Sequence, residues 1–126
     1  MKVTIDVISE DPTNKEWALY LVEEGPWNGE ELEGRLKTLQ ERIYNAVDVA
    51  IDGHLASKFP DSMGRAVRIQ VDCYDDPPED VEAIVREIAE TIEGDAEYQR
   101  AIRDSKFITG MRIVTMSEVG RRGGAK

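Results

Sequence analysis

The segment 66–73 alternates between apolar and polar side chains, and this pattern constrains the fold more than any other feature of the chain. The apolar side chains fall on one face of an extended strand: Val67, Ile69, Val71 and Cys73. The polar ones fall on the opposite face: Arg68, Gln70 and Asp72. A period of two is typical of a β-strand that buries one face and leaves the other in water. The pattern therefore predicts a sheet that is covered on one side only.

Further strands and helices follow from the same kind of periodicity. Two strands, near residues 3–7 and 16–22, flank a turn-forming segment and predict a β-hairpin. Apolar residues at three- and four-residue spacing predict a long helix that ends near Leu55 and either breaks at Asp52-Gly53 or overhangs the sheet. Three more elements follow the strand at 66–73: a helix ending at Gly94, a short helix at 95–104 and a strand at 111–116.

The order of these elements, ββαβαβ, predicts the fold class. It indicates an α+β two-layer sandwich in which a four-stranded mixed sheet carries two main helices on one face. A chain of 126 residues is one domain by size. We expect this domain to span residues 1–118 and to be followed by a flexible basic tail at 119–126, which has nothing to bury.

Charge is divided unevenly along the chain, and this bears on its partners and compartment. Residues 1–99 carry 24 of the 26 acidic and 9 of the 16 basic side chains, a balance of −15, whereas residues 100–126 carry +5. Because the body is acidic and the tail lacks aromatic residues, we expect no nucleic-acid binding. We also expect a soluble cytoplasmic protein without a membrane partner, since there is no long apolar run, no recognisable signal peptide and only one cysteine, Cys73.

Several segments together resemble a family of small bacterial proteins classed as a domain of unknown function. The segments are Ala18–Glu23 with Pro26-Trp27, Leu39–Ile43 with Asn45, Asp52–Leu55, and Val67–Cys73. The resemblance covers about residues 3–93, and it rests on strands, a helix seam and a helix end rather than on a catalytic motif. It implies a bacterial cytoplasmic origin and carries over no activity, cofactor or site residue.

Few residues could support catalysis. His54 is the only histidine, and a place at the end of the long helix explains it better than a catalytic or ligand role. Cys73 belongs to an apolar strand face, which predicts a buried and unreactive thiol. There is no glycine-rich phosphate loop, metal-type Cys/His spacing or nucleophile elbow, so we predict no catalytic residue, no cofactor and no metal ligand.

An acidic cluster near the start of the second main helix leaves one enzymatic alternative open. Its members are Asp72, Asp75, Asp76, Glu79, Asp80 and Glu82. Carboxylates are the ligands that Mg²⁺ and Ca²⁺ prefer, so a metal-dependent enzyme that uses the carboxylates of Asp72–Asp80 is the alternative of another class. The cluster lacks the ligand spacing and central glycine of a calcium loop, and helix capping accounts for part of it.

The uncovered sheet face is one candidate binding surface. The side chains expected to project from it are Lys2, Thr4, Asp6, Tyr20, Arg68, Gln70, Asp72 and Arg112. Of these, we interpret Tyr20, Arg68, Gln70 and Asp72 as the candidate ligand face. The competing interpretation is a set of solvated cross-strand pairs, each contributing about 0.2–1 kcal/mol.

A second candidate surface lies near the end of the long helix. Tyr44, Val49 and Ile51 add apolar area beyond the stripe that faces the sheet, which predicts a dimer surface. The alternative is that the last strand or the helix at 95–104 covers them within one chain. The sequence thus favours a small non-enzymatic interaction module that acts as a homodimer. A neutraliser of a basic protein partner, of the immunity-protein type, is the alternative that the acidic body suggests.

Overall fold

The computed structural model describes residues 5–24, 27, 31–74 and 79–117. Its strands are β1 (Val7–Asp11), β2 (Glu16–Glu23), β3 (Arg65–Cys73) and β4 (Ile108–Ser117). Its α-helices are α1 (Glu31–Asp52), α2 (His54–Lys58), α3 (Glu79–Gly94) and α4 (Ala96–Asp104), and a 3₁₀ turn spans Pro60–Ser62. This is the predicted α+β class with the predicted order of main elements. No helix among the described residues is long and apolar enough to cross a membrane.

The four strands form one mixed sheet in the order β1-β2-β3-β4. β1 is antiparallel to β2, whereas β2, β3 and β4 are mutually parallel. The helix α1 and the pair α3–α4 provide the crossovers that parallel neighbours require. Among the described residues, β1 and β4 are thus the two edge strands of the sheet.

One face of the sheet packs against the helices and forms the hydrophobic core. The largest fully buried aliphatic side chains of the core come from five elements: Leu19 and Leu21 of β2, Leu39, Ile43 and Val47 of α1, Leu55 of α2, Val67, Ile69 and Val71 of β3, and Val81 and Val85 of α3. The apolar set predicted on residues 66–73 is therefore confirmed as the core-facing side of β3. Cys73 is buried with it, as expected.

The long helical segment breaks at Gly53. This residue has a φ of 93°, in the left-handed region that favours glycine, and it separates α1 from α2. The ring of Phe107 approaches so closely that a Cβ atom at position 53 would lie 2.7 Å from it. Of the two alternatives for the helix end, the break is the correct one.

The first strand differs from its prediction. Ile5 and Ile8 both pack against the core. Because they are three residues apart, the alternation of inward- and outward-facing side chains shifts by one residue between them. Val7 consequently lies on the open face, with 51 % of its surface exposed. The shift occurs at Asp6, whose carboxylate accepts hydrogen bonds from the Val22 amide (2.8 Å) and the Arg42 guanidinium (2.6 Å) of α1. The prediction that Asp6 projects from the open face is therefore wrong, because the Arg42 guanidinium of α1 binds its carboxylate. Lys2, Thr4 and the tail at 119–126 lie outside the described residues.

Candidate functional site

The open face of the sheet is organised around Arg68, at the middle of β3. Its guanidinium donates to three neighbouring side chains: Nη1 to Asp11 Oδ2 (2.8 Å) and Glu16 Oε1 (3.0 Å), and Nη2 to the Tyr20 hydroxyl (3.1 Å). Its Nε donates to Gln70 Oε1 at 3.1 Å. The arginine consequently lies along the sheet, and its side chain is only 9 % exposed.

Glu16 joins Arg68 to the edge strand β4. Arg112 binds this carboxylate through two parallel hydrogen bonds, Nε to Oε2 at 2.7 Å and Nη2 to Oε1 at 2.9 Å. Such a bidentate pair is the strongest form of this contact. The bonds from Arg112, and further ones from Arg68, hold the pKa of Glu16 below its usual range although burial acts in the opposite direction. Glu16 is therefore an anion that binds two cations, and its lowered pKa makes it a poor general base.

The carboxylate of Asp11 ties the other edge strand, β1, to the same arginine. The hydrogen bond from Arg68, followed by the backbone bond from Asn14, lowers the pKa of Asp11 to about 2. The oxygen Oδ1 also accepts the amide of Thr13, at 3.1 Å, which fixes the turn between β1 and β2. Asp11, Glu16, Arg68 and Arg112 thus form one ion-pair network that runs from edge to edge of the sheet.

The four residues predicted as a ligand face are joined in one chain of hydrogen bonds, which meets the ion-pair network at Arg68. Tyr20 accepts from Arg68, Arg68 donates to Gln70, and Gln70 Nε2 donates to Asp72 Oδ1 at 2.8 Å. Because these groups bind one another, the middle of the face is largely dry: Arg68 and Asp72 are 8 % and 9 % exposed. Its chemistry is that of a preformed polar surface whose side chains are hydrogen-bonded to one another.

Sequence reasoning missed Asp11 and Glu16. Neither has a signal of its own in the sequence: Asp11 belongs to the turn-forming segment between the first two predicted strands, and Glu16 begins the second of them. Arg68 lies 57 residues from Asp11 along the chain, and Arg112 lies 96 residues from Glu16. The parallel pairing of β2 with β3 brings these groups together, and no local pattern carries that register.

The residues considered for catalysis are separated from this face. His54 is exposed at the first turn of α2 rather than at the end of a long helix. Burial raises the pKa of the Cys73 thiol to about 11, so this cysteine is a thiol and not a thiolate at neutral pH. Within residues 5–24, 27, 31–74 and 79–117, no three His, Cys, Asp or Glu side chains are grouped to bind a metal. Asp75 and Asp76 of the acidic cluster lie outside those residues.

The three residues of the predicted dimer surface are all half-buried against the core. The ring of Tyr44 packs on Tyr98 of α4, with centroids 5.9 Å apart. The carbonyl of Ile51 accepts a hydrogen bond from Ser105 at 3.2 Å, and Val49 lines a cavity beside α2. Part of this apolar area is thus covered within the chain, and a dimer contact through it stays a prediction.

Fold and site together define a class: a two-layer α+β sandwich whose uncovered sheet face carries an internally neutralised ion-pair network. The chain belongs to a family of unknown function, DUF6572, whose model matches residues 1–104. The resemblance in the sequence is confirmed to that extent. No curated protein and no solved structure matches the chain. The family match brings no activity with it, so the function has to be argued from the geometry.

Proposed function

We propose that this protein is a non-enzymatic interaction module that works as a homodimer, joined through the exposed edge of β4. The observation that carries the proposal is that β4, at ten residues the longest strand, has β3 on one side and no strand on the other among the described residues. An edge strand presents a row of unpaired backbone N–H and C=O groups, which is a template for pairing with another strand.

The composition of β4 favours pairing. Natural edge strands are usually blocked by lysine, proline or an outward charge. The segment Ile108–Ser117 contains neither lysine nor proline, and its one charged side chain, Arg112, is bound to Glu16 on the open face. Within Ile108–Ser117, therefore, no lysine, proline or unpaired charge blocks a second strand.

A groove beside β4 would receive the side chains of an added strand. It lies between α3 and the edge of β4, has a volume of about 470 Å³, and is lined by Val85 and Ala89 of α3 and by Ile113 of β4, with charged side chains on the α3 rim. Alternate side chains of a strand paired to β4 would point into this groove. Main-chain bonds would supply affinity and the groove would supply selectivity.

A second copy of this chain is the occupant that fits best. Antiparallel pairing of two β4 strands about a two-fold axis gives each copy the same contacts. On the groove side β4 itself offers Met111 and Ile113, which are apolar and half-buried in the single chain. Pairing centred on Ile113 would also place Arg112 opposite Val114 rather than opposite another Arg112, which avoids a like-charge contact.

The solution mass tests this proposal. We expect a mass near twice the 14.2 kDa of the chain. Val114→Lys places a charge on the open-face side of β4, and we expect it to weaken the dimer at least about tenfold, because the lysine would stand opposite Arg112 of the second copy, a like-charge contact that the two-fold axis makes twice. The matched control is Val7→Lys on β1, at the other edge of the same face, which we expect to leave the dimer intact.

The control also separates two geometries. A dimer that packs through the open face would be weakened by both lysines, whereas a dimer that pairs through β4 is weakened by Val114→Lys alone. A folded wild-type protein that is monomeric at tens of micromolar, or a dimer that Val114→Lys leaves unchanged, would contradict the proposal. The mass is best measured by multi-angle light scattering, with circular dichroism to show that each variant is folded.

We also propose that the module works in the cytoplasm. Its one cysteine, Cys73, is buried and forms no disulfide, and burial keeps the thiol protonated. A chain without disulfide staples suits a reducing compartment. Fractionation of cells that express the tagged protein tests this placement, and recovery of the protein outside the cytoplasm would contradict it.

A further inference from the structure

A cavity lies between the start of β1 and the short helix α2, away from both the ion-pair network and the β4 edge. Its volume is about 390 Å³, which is at the lower end of the range found for small-molecule sites. The walls are apolar: Ile5, Ile8, Val49, Leu55 and Phe59. The two remaining lining residues are His54 and Lys58, so the cavity has an apolar interior and a polar margin.

The polar margin carries one positive charge, that of Lys58, beside the imidazole of His54. His54 and Lys58 are four residues apart on α2, which puts them on one side of the helix, and both are exposed. The seven described lining residues include no carboxylate. In a chain with a net charge of −10, a cavity bordered by an ammonium group and an imidazole is a local reversal of charge. This arrangement suits an anionic group at the mouth and an apolar body inside.

A buried tryptophan packs against the wall of the cavity. The Trp17 ring lies on the lining residue Phe59, with centroids 5.5 Å apart. The indole Nε1 of Trp17 is buried and has no hydrogen-bond partner among the described residues. Buried donors without a partner are uncommon in folded proteins. This tryptophan also gives the site an optical reporter.

We propose that this cavity binds a small monocarboxylate with an apolar body, such as a medium-chain fatty acid. The carboxylate pairs with Lys58 and accepts a hydrogen bond from His54, and the hydrocarbon portion contacts Val49, Ile8 and Phe59. The proposal also accounts for Val49, whose apolar side chain falls off the stripe of α1 that faces the sheet. It does not depend on the dimer, because no residue of β4 lines the cavity.

Titration with octanoate tests this site. We expect saturable binding with a dissociation constant of about 1 mM or tighter, seen as methyl chemical-shift changes at Ile8, Val49 and Leu55 and as a change in Trp17 emission. Trp27→Phe removes the only other tryptophan signal. Octanol has the same chain without the charge, and we expect it to bind more weakly.

Three variants locate the ligand. We expect Lys58→Gln to weaken octanoate about two- to fivefold, the range of an exposed ion pair, while leaving octanol unchanged. Its matched control is Lys37→Gln, an exposed lysine on α1 that does not line the cavity. Val49→Trp fills the cavity and should abolish binding of both compounds. If that variant does not fold, the Lys58 pair and the methyl shifts still decide the question.

Three results would overturn the proposal, the last of them a matter of where the shifts map. One is the absence of binding at 10 mM octanoate, or on the order of ten times the expected dissociation constant. The other is octanol binding as tightly as octanoate with no effect of Lys58→Gln, which would leave an apolar void with no preference for an anion. Shifts that map to residues outside the cavity would equally contradict it.

Discussion

The two edges of the sheet are built differently although the same network of ion pairs reaches both. β1 has five residues, and its acidic side chains Glu10 and Asp11 pair with arginines of β3. β4 has ten residues, and its one charged side chain, the half-exposed Arg112, is bound to Glu16. A short edge strand resists strand addition, and a long one without lysine or proline permits it. The difference indicates which edge is available to a partner.

The network also shows how the centre of a sheet face can be buried without a second layer. The helix-covered face excludes water with aliphatic side chains such as Leu19 and Ile69, which are fully buried. At the centre of the open face, Arg68 is 8 % exposed and its strand-pair partner Ala18 has no exposed surface. Buried charges are tolerated there because each has a partner of opposite sign.

Removing Glu16 should have the largest effect, since it breaks the link between the network and β4. Glu16→Ala leaves Arg68 buried with fewer anionic partners and frees Arg112 at the edge. We expect a loss of about 2–4 kcal/mol in the free energy of unfolding and a weaker dimer. The matched control is Glu10→Ala on β1, which removes the ion pair between Glu10 and Arg65 (3.6 Å). Because both side chains of this pair are accessible to solvent, we expect the free energy of unfolding to change by less than about 0.5 kcal/mol. Urea denaturation measures both, and equal losses would contradict the distinction between the two edges.

Gly53→Ala should have an intermediate effect, through the segment that leads into β4. The added Cβ meets the Phe107 ring and the φ of 93° is unfavourable for alanine, so we expect a loss of about 1–3 kcal/mol. Gly34→Ala in α1 is the control: no atom lies within 4 Å of its added Cβ, and we expect a gain of about 0.5–1 kcal/mol. A Gly53→Ala variant as stable as the wild type in thermal unfolding would show that the close approach of Phe107 is not needed.

Acid should have the smallest effect, and it should act on the β1 end of the network. The pKa of Asp11 is about 2 in the folded chain against 3.8 for the ordinary group, so the native state holds its proton less tightly than the unfolded state. The contribution is present above pH 3.8 and is lost as the pH falls towards 2. We expect Asp11→Asn to flatten the loss of stability between pH 4 and 2 in urea denaturation series. The same slope in wild type and variant would show that Asp11 gains nothing from Arg68.

The sequence predicted the sheet and its two faces because the information is local. Alternation in 66–73 placed Arg68, Gln70 and Asp72 on one face, and the structure joins them there. The phase of β1 was wrong at Val7, because the contact between Asp6 and Arg42 of α1 shifts the strand and lies outside any local pattern. The pairing of Glu16 with Arg112 depends on strand order, which could not be derived from periodicity. The features missed are therefore those that join distant parts of the chain.

Amide hydrogen exchange along the two edges tests the central claim most directly. In a parallel pair, alternate residues of β4 direct their amides away from β3. If β4 pairs with a second copy, those outward amides should be protected to about the same degree as the inward ones, whereas the outward amides of β1 should exchange quickly. Dilution below the dissociation constant of the dimer should then remove the protection on β4 alone. Outward amides of β4 that exchange as fast as those of β1 at high protein concentration would contradict the account.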